Sequence, residues 1–491
     1  MERLRHLRKL THYERVLLIL FLFSLPLANP WVRGDGVGYY AYARALVVNG
    51  NLRFEPDWMH ANESFVAGRV DKGAIRPELY TKTGYLDNHF TIGPALDWMP
   101  FLFLTHTAVR IADSFGAQIP ANGFSRPYAY TMAAVTAVAG FIGLLFSFAL
   151  ARKYFPERWA FLATLGIWLA SSLPVYMYFN PSWSHAHSAF AVALFFWYWD
   201  RTRGTRTFKQ WALLGLISAL MLNDYYLNAI FLLAPLLESA WIAGKSLSAR
   251  KRGQGEMWPR VLAQNAVYVG VVLIGLLPTF ITRWIIYSSP LASGYAPIAS
   301  WNWASPVFAQ VLFSSDHGLF SWTPILILAS LGLIPLVRRD QKLGATLLAC
   351  ALAFYFVIAS YPDWDGISSY GNRFFISLTP IFVLGLAASL AAFEQASRNS
   401  RSAWLGAAAL TALLALWNGG FIFQWGMHMI PDRGAISWND MANNQFRAVP
   451  EEMASSLKRY FTHRSEMMQG IEKQDLQQLR EQEAKQEKGG S

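Results

Sequence analysis

The sequence predicts an all-α polytopic membrane protein with about eleven transmembrane helices. Three observations predict it. Hydrophobic residues make up 54% of the 491 and charged residues only 15%, against about 25% charged in an ordinary soluble domain. The apolar residues fall in long runs, and short basic patches separate the runs. The formal charge of +11 resides in those patches, as topology requires and unlike the single cationic face of a nucleic-acid binder, which excludes nucleic acid as a partner. The lone cysteine, Cys350, excludes an intramolecular disulfide or a cysteine metal cluster.

The first apolar segment, Val16 to Ala28, has no small-residue cleavage site after it, and Val16 to Trp31 reads as a retained anchor. Arg3, Arg5, Arg8, Lys9 and Arg15 precede it and set the amino terminus in the cytoplasm. The first loop, residues 29–126, is then outside. It contains a further apolar segment, Thr91 to Ala112, which decides the topology. If that segment crosses, every later basic loop lies outside; if it is interfacial, every one is cytoplasmic, and the charges select the second arrangement.

Spans then fall at Pro127 to Leu150, Trp159 to Phe179, Ser184 to Trp199, Trp211 to Asn223 and Tyr225 to Trp241. Five more follow: Val261 to Ile281, Phe320 to Val337, Leu343 to Ser360, Phe374 to Phe393 and Trp404 to Phe423. The cytoplasmic loops hold Arg152, Lys153 and Arg158; Arg201, Arg203, Arg206 and Lys209; Lys245, Arg250, Lys251, Arg252 and Arg260; Arg338, Arg339 and Lys342; and Arg398 and Arg401. Trp211 to Trp241 must cross twice, which is short against ~20 residues per crossing. Its turn at Asn223 to Tyr226 is therefore expected below the outer surface, lining an outward cavity.

In the first loop, Gly34 to Gly50 predicts a helix lying at the membrane surface. Beyond the membrane domain, residues 1–425, the noncytoplasmic segment 426–491 is polar. It has a weakly amphipathic stretch, Glu451 to Met468, and a tail from Gln474 whose few apolar residues predict disorder.

Asp35 lies in Trp31-Val32-Arg33-Gly34-Asp35-Gly36-Val37-Gly38-Tyr39-Tyr40. The glycines are not a dinucleotide fingerprint, because no strand precedes them and their spacing differs. They give the backbone room to turn and to approach a ligand. The carboxylate can cap a helix starting near Val37 or take a proton from an attacking group, and the residue alone leaves both open.

Four stretches carry a resemblance: this one, Thr91-Ile92-Gly93-Pro94-Ala95-Leu96, Ser182-Trp183-Ser184-His185-Ala186-His187, and Ser368-Ser369-Tyr370-Gly371-Asn372-Arg373-Phe374-Phe375. They resemble the GT-C superfamily of integral membrane glycosyltransferases, and most of all its bacterial polyprenyl-phosphate-dependent members. The resemblance covers residues 1 to about 425. It implies a polyprenyl-phosphate-linked sugar as donor, transfer with inversion to a lipid, glycan or protein acceptor on the noncytoplasmic side, and residence in a bacterial inner membrane among membrane lipids. It makes Asp35 the base and Arg373 the group that neutralises the lipid-phosphate leaving group, a task for a guanidinium fork. Without it, Arg373 reads equally as an interface arginine reaching for headgroups.

The second outer loop offers His185 and His187 where some relatives carry an acidic metal-binding pair. Two histidines are too few for a metal, so the expectation is no metal cofactor, a divalent ion being left open, with a histidine bonded to the phosphate or the acceptor. Both can instead cap the next span. Lys82, Arg283 and His89 are outer-side cations that could join the phosphate site. Asp224, Asp316, His317, Asp365 and Tyr370 are candidate substrate contacts. The competing classes are a multi-span transporter or lipid flippase and a non-catalytic GT-C-like subunit, though no inverted repeat supports the former.

Overall fold

The computed structural model describes residues 10–250, 258–295, 297–397 and 399–489. Arg3, Arg5, Arg8, Lys9, Lys251, Arg252 and Arg398, part of the charge argument, lie outside the described residues. Helices account for almost all regular structure. Among the described residues the one sheet is a hairpin pairing Val70–Asp71 with Ala74–Ile75.

We number the principal helices α1 (His12–Ser24), α2 (Asp35–Arg44), α3 (Gly93–Ser114), α4 (Arg126–Tyr154), α5 (Glu157–Leu169), α6 (His185–Thr202), α7 (Phe208–Asp224) and α8 (Leu233–Arg250). They continue as α9 (Trp258–Gly275), α10 (Leu277–Tyr287), α11 (Gln341–Ser360), α12 (Thr379–Ala396), α13 (Ser400–Gly426), α14 (Val449–Thr462) and α15 (Arg464–Gly489).

At the centre stands α12, apolar on every side and therefore buried on every side. Its 24-residue apolar helix, counted from Arg373, is 94% buried in its most hydrophobic window. Backbones come close there: a Cβ on Gly385 would collide with the Ala329 carbonyl, and one on Gly332 with that of Gly385. Small residues at such crossings let helices pack without a water-driven force. By contrast α13 turns Leu405, Leu410, Leu413 and Leu416 outward, as a helix facing lipid does.

Five helices among the described residues are long and apolar enough to cross a membrane: α4, Tyr226–Lys245, α11, Arg373–Ala396 and α13. A sixth is the pair Pro259–Gly275 and Leu277–Tyr287, bent by 46°. The chain is an integral membrane protein. The other expected spans are short or interrupted. Trp159 to Phe179 stops as α-helix at Leu169 before Pro174, and Phe320 to Val337 is cut at Pro324 and Gly332.

One end of the bundle collects the basic loops. There Arg152 pairs with Glu14 at 2.8 Å, Lys153 with Asp200 at 2.6 Å, Arg206 with Glu238 at 2.8 Å, Arg158 with Glu394 and Arg203 with Asp340. At the opposite end of α4, α3 packs antiparallel through Trp98 to Thr136 at 2.9 Å, Thr105 to Thr131 at 2.7 Å and His106 to Tyr128 at 2.7 Å. The first loop gathers at this second end.

Two expectations are corrected. Gly34 to Gly50 is not a surface helix: Gly36 to Ala45 are all buried in protein. Its tyrosines tolerate burial because their hydroxyls donate to carbonyls, Tyr40 to Gly123 at 2.8 Å and Tyr42 to Asn88 at 3.0 Å. From Gln474 the tail is the later part of α15, and Asp475 within it is buried. Ahead of the tail, Met467 and Ile471 share one helical face and pack with Tyr460 of α14 against Trp31, Phe179 and Met427.

Candidate functional site

The site starts from the backbone turn into α2. Gly34, at φ 53°, occupies the N-cap position, and no side chain caps the helix. Asp35 is the first residue of α2, so its carboxylate is free of capping duty and meets Arg373, Oδ2 to Nη2 at 3.1 Å. Arg373 opens the 3-10 turn Arg373–Leu378 that leads into α12. Its guanidinium lies 4.4 Å from the Trp183 ring centre, and the Trp183 indole N–H donates to the Arg33 carbonyl at 3.0 Å. Three of the four stretches singled out in the sequence thus converge.

Glycine sets these distances. A Cβ on Gly36 would overlap Ser182 Oγ, and one on Gly38 would overlap the Phe90 ring. Gly93, from the remaining stretch, presses on the Asn223–Asp224 peptide in the same way. Gly36→Ala is expected to push the Asp35 turn off Ser182, with loss of activity and a lowered melting temperature in detergent. Overpacking of this kind costs about 1–3 kcal/mol.

Asp35 and Arg373 lie on the wall of a cavity of 940 Å³. Arg33, Arg69, Asp432 and Arg433 share its polar part; Leu169, Phe179, Leu416, Ile422, Phe423 and Leu457 line the rest. Helices α14 and α15 form one side and hold to the first loop by polar contacts. Tyr460 donates to the Leu27 carbonyl at 2.7 Å, Arg464 to the Ala28 carbonyl at 2.8 Å, and Glu472 accepts from the Ser64 N–H at 2.6 Å. Asp475 takes both Arg33 and the His428 Nε2, the latter at 2.6 Å. Burial pushes the Asp475 carboxyl up to about 6. Arg33, Arg69, His428, Asp432, Arg433 and Asp475 were not singled out as site residues; Arg33 neighbours Asp35 in sequence, and long-range packing brings the others here.

The other candidates divide. His185 is buried among the rings of Tyr176, Trp183 and Tyr225, with no partner for Nδ1 among the described residues. His187 is committed elsewhere: Nδ1 bonds Asp97 at 2.7 Å and Nε2 bonds Thr136 at 3.1 Å, tying α6 to α3 and α4. Lys82 is exposed in the first loop. His89 packs tilted on Phe90 and edge-on to Tyr295, and burial lowers its pKa from the ordinary histidine value. Tyr370 is buried and donates to Asn418 of α13 at 2.7 Å, away from the cavity wall. Asp224 is fully buried beside Gly93, with neither carboxylate oxygen bonded, and the turn around it is absent from that wall.

Arg283 is an anchor. Its donors go to the carbonyls of Asn88, His89 and Phe90 at 2.7–2.8 Å and to the Tyr226 hydroxyl. Hydrogen bonds to a charged group are worth about 1.5–3 kcal/mol each. Arg283→Met should therefore destabilise the first loop by at least about 3 kcal/mol, seen as faster deuterium uptake at residues 88–90. Asp316, His317 and Asp365 form a separate cluster. Burial, with Asp365 beside it, raises the Asp316 carboxyl to about 6, and burial lowers His317 to about 4.

Fold and site define a helical integral membrane protein with a large cavity lined by both polar and apolar side chains. No family model matches the chain, and no curated protein matches it. Solved structures are similar to it. One is the archaeal oligosaccharyltransferase AglB from Archaeoglobus fulgidus in complex with an inhibitory peptide and a dolichol-phosphate. It is 16% identical, with 84% of this chain and 55% of that chain covered and a TM-score of 0.48. Another is ArnT from Cupriavidus metallidurans bound to undecaprenyl phosphate, 15% identical, with 94% and 73% covered and a TM-score of 0.47. The chain spans about half the length of the archaeal oligosaccharyltransferase.

Proposed function

We propose that the chain is a membrane glycosyltransferase that moves a sugar from a polyprenyl-phosphate donor to an acceptor on the noncytoplasmic side of a bacterial inner membrane, with inversion. The observation that carries this reading is the Asp35–Arg373 pair, 3.1 Å apart on the wall of an amphiphilic cavity. An acid and an arginine in contact are the two groups such a transfer needs. The apolar lining suits a prenyl chain, and the polar part suits its phosphate and sugar.

In the free protein each group neutralises the other. A donor phosphate competes with Asp35 for Arg373 and thereby releases the carboxylate. Asp35 then takes the proton of the acceptor hydroxyl or amine as the acceptor lone pair attacks the anomeric carbon. The bond from that carbon to the phosphate oxygen breaks, its electron pair stays with the polyprenyl phosphate, and Arg373 stabilises the added charge. His187 has both nitrogens engaged and His185 is buried off the cavity wall, so the phosphate is assigned to Arg373 alone of the expected residues.

The test is reconstitution in liposomes with a polyprenyl-phosphate-linked radiolabelled sugar and a bacterial envelope extract as acceptor. Label moving from donor to acceptor supports the reading. Movement of the lipid across the bilayer with its sugar intact would replace it with a flippase.

A further inference from the structure

The loops Ser314–Gly318 and Asp363–Arg373 meet beside Arg373, and their contact carries an unsatisfied polar cluster. His317 is fully buried, and its Nδ1 lies 2.9 Å from the Asp365 carbonyl. A carbonyl oxygen only accepts, so Nδ1 bears the proton and Nε2 keeps its lone pair. That Nε2 is buried with no partner among the described residues. Asp316 Oδ1, 3.7 Å from His317 Nδ1, is likewise buried without a partner among the described residues. The Asp365 side chain completes the group, with one ligand atom from each residue within 4.8 Å of the others.

Two half-buried carboxylates beside a buried neutral imidazole form a donor set of net negative charge. A histidine whose Nδ1–H is fixed on a carbonyl is also arranged as metal-ligating histidines are. We propose that Asp316, His317 and Asp365 bind a divalent transition-metal ion, with nitrogen and carboxylate ligands suited to zinc. Ligands about 2.0–2.2 Å from a tetrahedral ion stand about 3.3–3.6 Å apart. The cluster therefore closes by about 1 Å on binding, which carboxylate rotation supplies. The fourth position is left to water or another ligand.

The ion fastens the two loops to each other beside the phosphate-binding arginine. Gly366 follows Asp365, lines the cavity, and has room for a Cβ only 3.4 Å from Arg373 Nε. Ser369 donates to the Asp365 carbonyl at 3.2 Å, and Asn372 to that of Trp364 at 2.9 Å. The ion is thus a support for Arg373. The site stands whether or not the transfer reading does, because binding is measured without substrate.

The experiment strips the full-length protein in detergent with a chelator, dialyses it against Zn²⁺ or Co²⁺, and measures retained metal by mass spectrometry and the visible Co²⁺ spectrum. The expected result is one equivalent retained, with a tetrahedral Co²⁺ band. Asp316→Asn and His317→Gln should each lose at least tenfold in affinity, while Asp35→Asn keeps the full equivalent. Asp316→Asn changes little in shape and guards against misfolding of the histidine variant, with melting temperature as the check. No retained metal would mean that a buried water satisfies the cluster and would overturn the proposal, as would binding that survives both substitutions.

Discussion

Asp35→Asn is expected to lower sugar transfer by about 10² to 10⁴, the usual worth of a positioned base, while donor affinity stays the same or rises. The second half of this expectation comes from the pairing with Arg373. In the wild type, donor phosphate must displace a carboxylate from the guanidinium. An asparagine in its place still offers a carbonyl oxygen at nearly the same position, so Arg373 keeps an acceptor there, but the competing charge is gone. Lipid-phosphate binding measured by native mass spectrometry and single-turnover transfer separate the two effects. A variant that transfers sugar at the wild-type rate removes Asp35 from the mechanism. One that loses donor binding as severely as transfer makes Asp35 a binding group.

Arg373→Lys should weaken donor binding by at least about tenfold, because a charged hydrogen bond is worth about 1.5–3 kcal/mol. Lysine keeps the charge but gives up both the planar fork and its stacking on Trp183. Arg373→Ala should be worse, since Asp35 then loses the cation it touches. The double variant Asp35→Asn with Arg373→Ala should cost less than the sum of the single changes, because the two side chains touch. Strict additivity in lipid-phosphate binding would mean that the contact plays no part in the binding competition.

How much of this could be read in the chain differs by element. Phe374 to Phe393 was visible as a span because a helix buried on all sides is apolar on all sides. The Asp35 and Arg373 stretches stood out separately, but nothing in either revealed their contact, which depends on glycine packing between Gly36 and Ser182. Arg283 looked like a free outer cation, since the direction of three main-chain carbonyls at residues 88–90 is a property of the folded loop. The α2 tyrosines looked fit for a membrane surface, and only the carbonyls facing Tyr40 and Tyr42 make their burial tolerable. In the tail of α15 the overall polarity hid the burial of Asp475, because its partners Arg33 and His428 come to it only through the fold.

The two walls of the cavity are made of different materials. On one side the Asp35 turn, Trp183 and Arg373 are locked by backbone approaches with no room for a methyl group, which makes a fixed jaw. On the other, α14 and α15 rest on a small apolar cluster and a handful of polar contacts, the construction from which low-stability, locally opening units are drawn. Any admission of a bulky lipid head therefore falls to the carboxyl-terminal jaw. Amide exchange in α14 and α15 will outpace that in α2, and a crosslink pinning α15 to residues 62–64 will slow loading of the cavity without changing the distance between base and arginine.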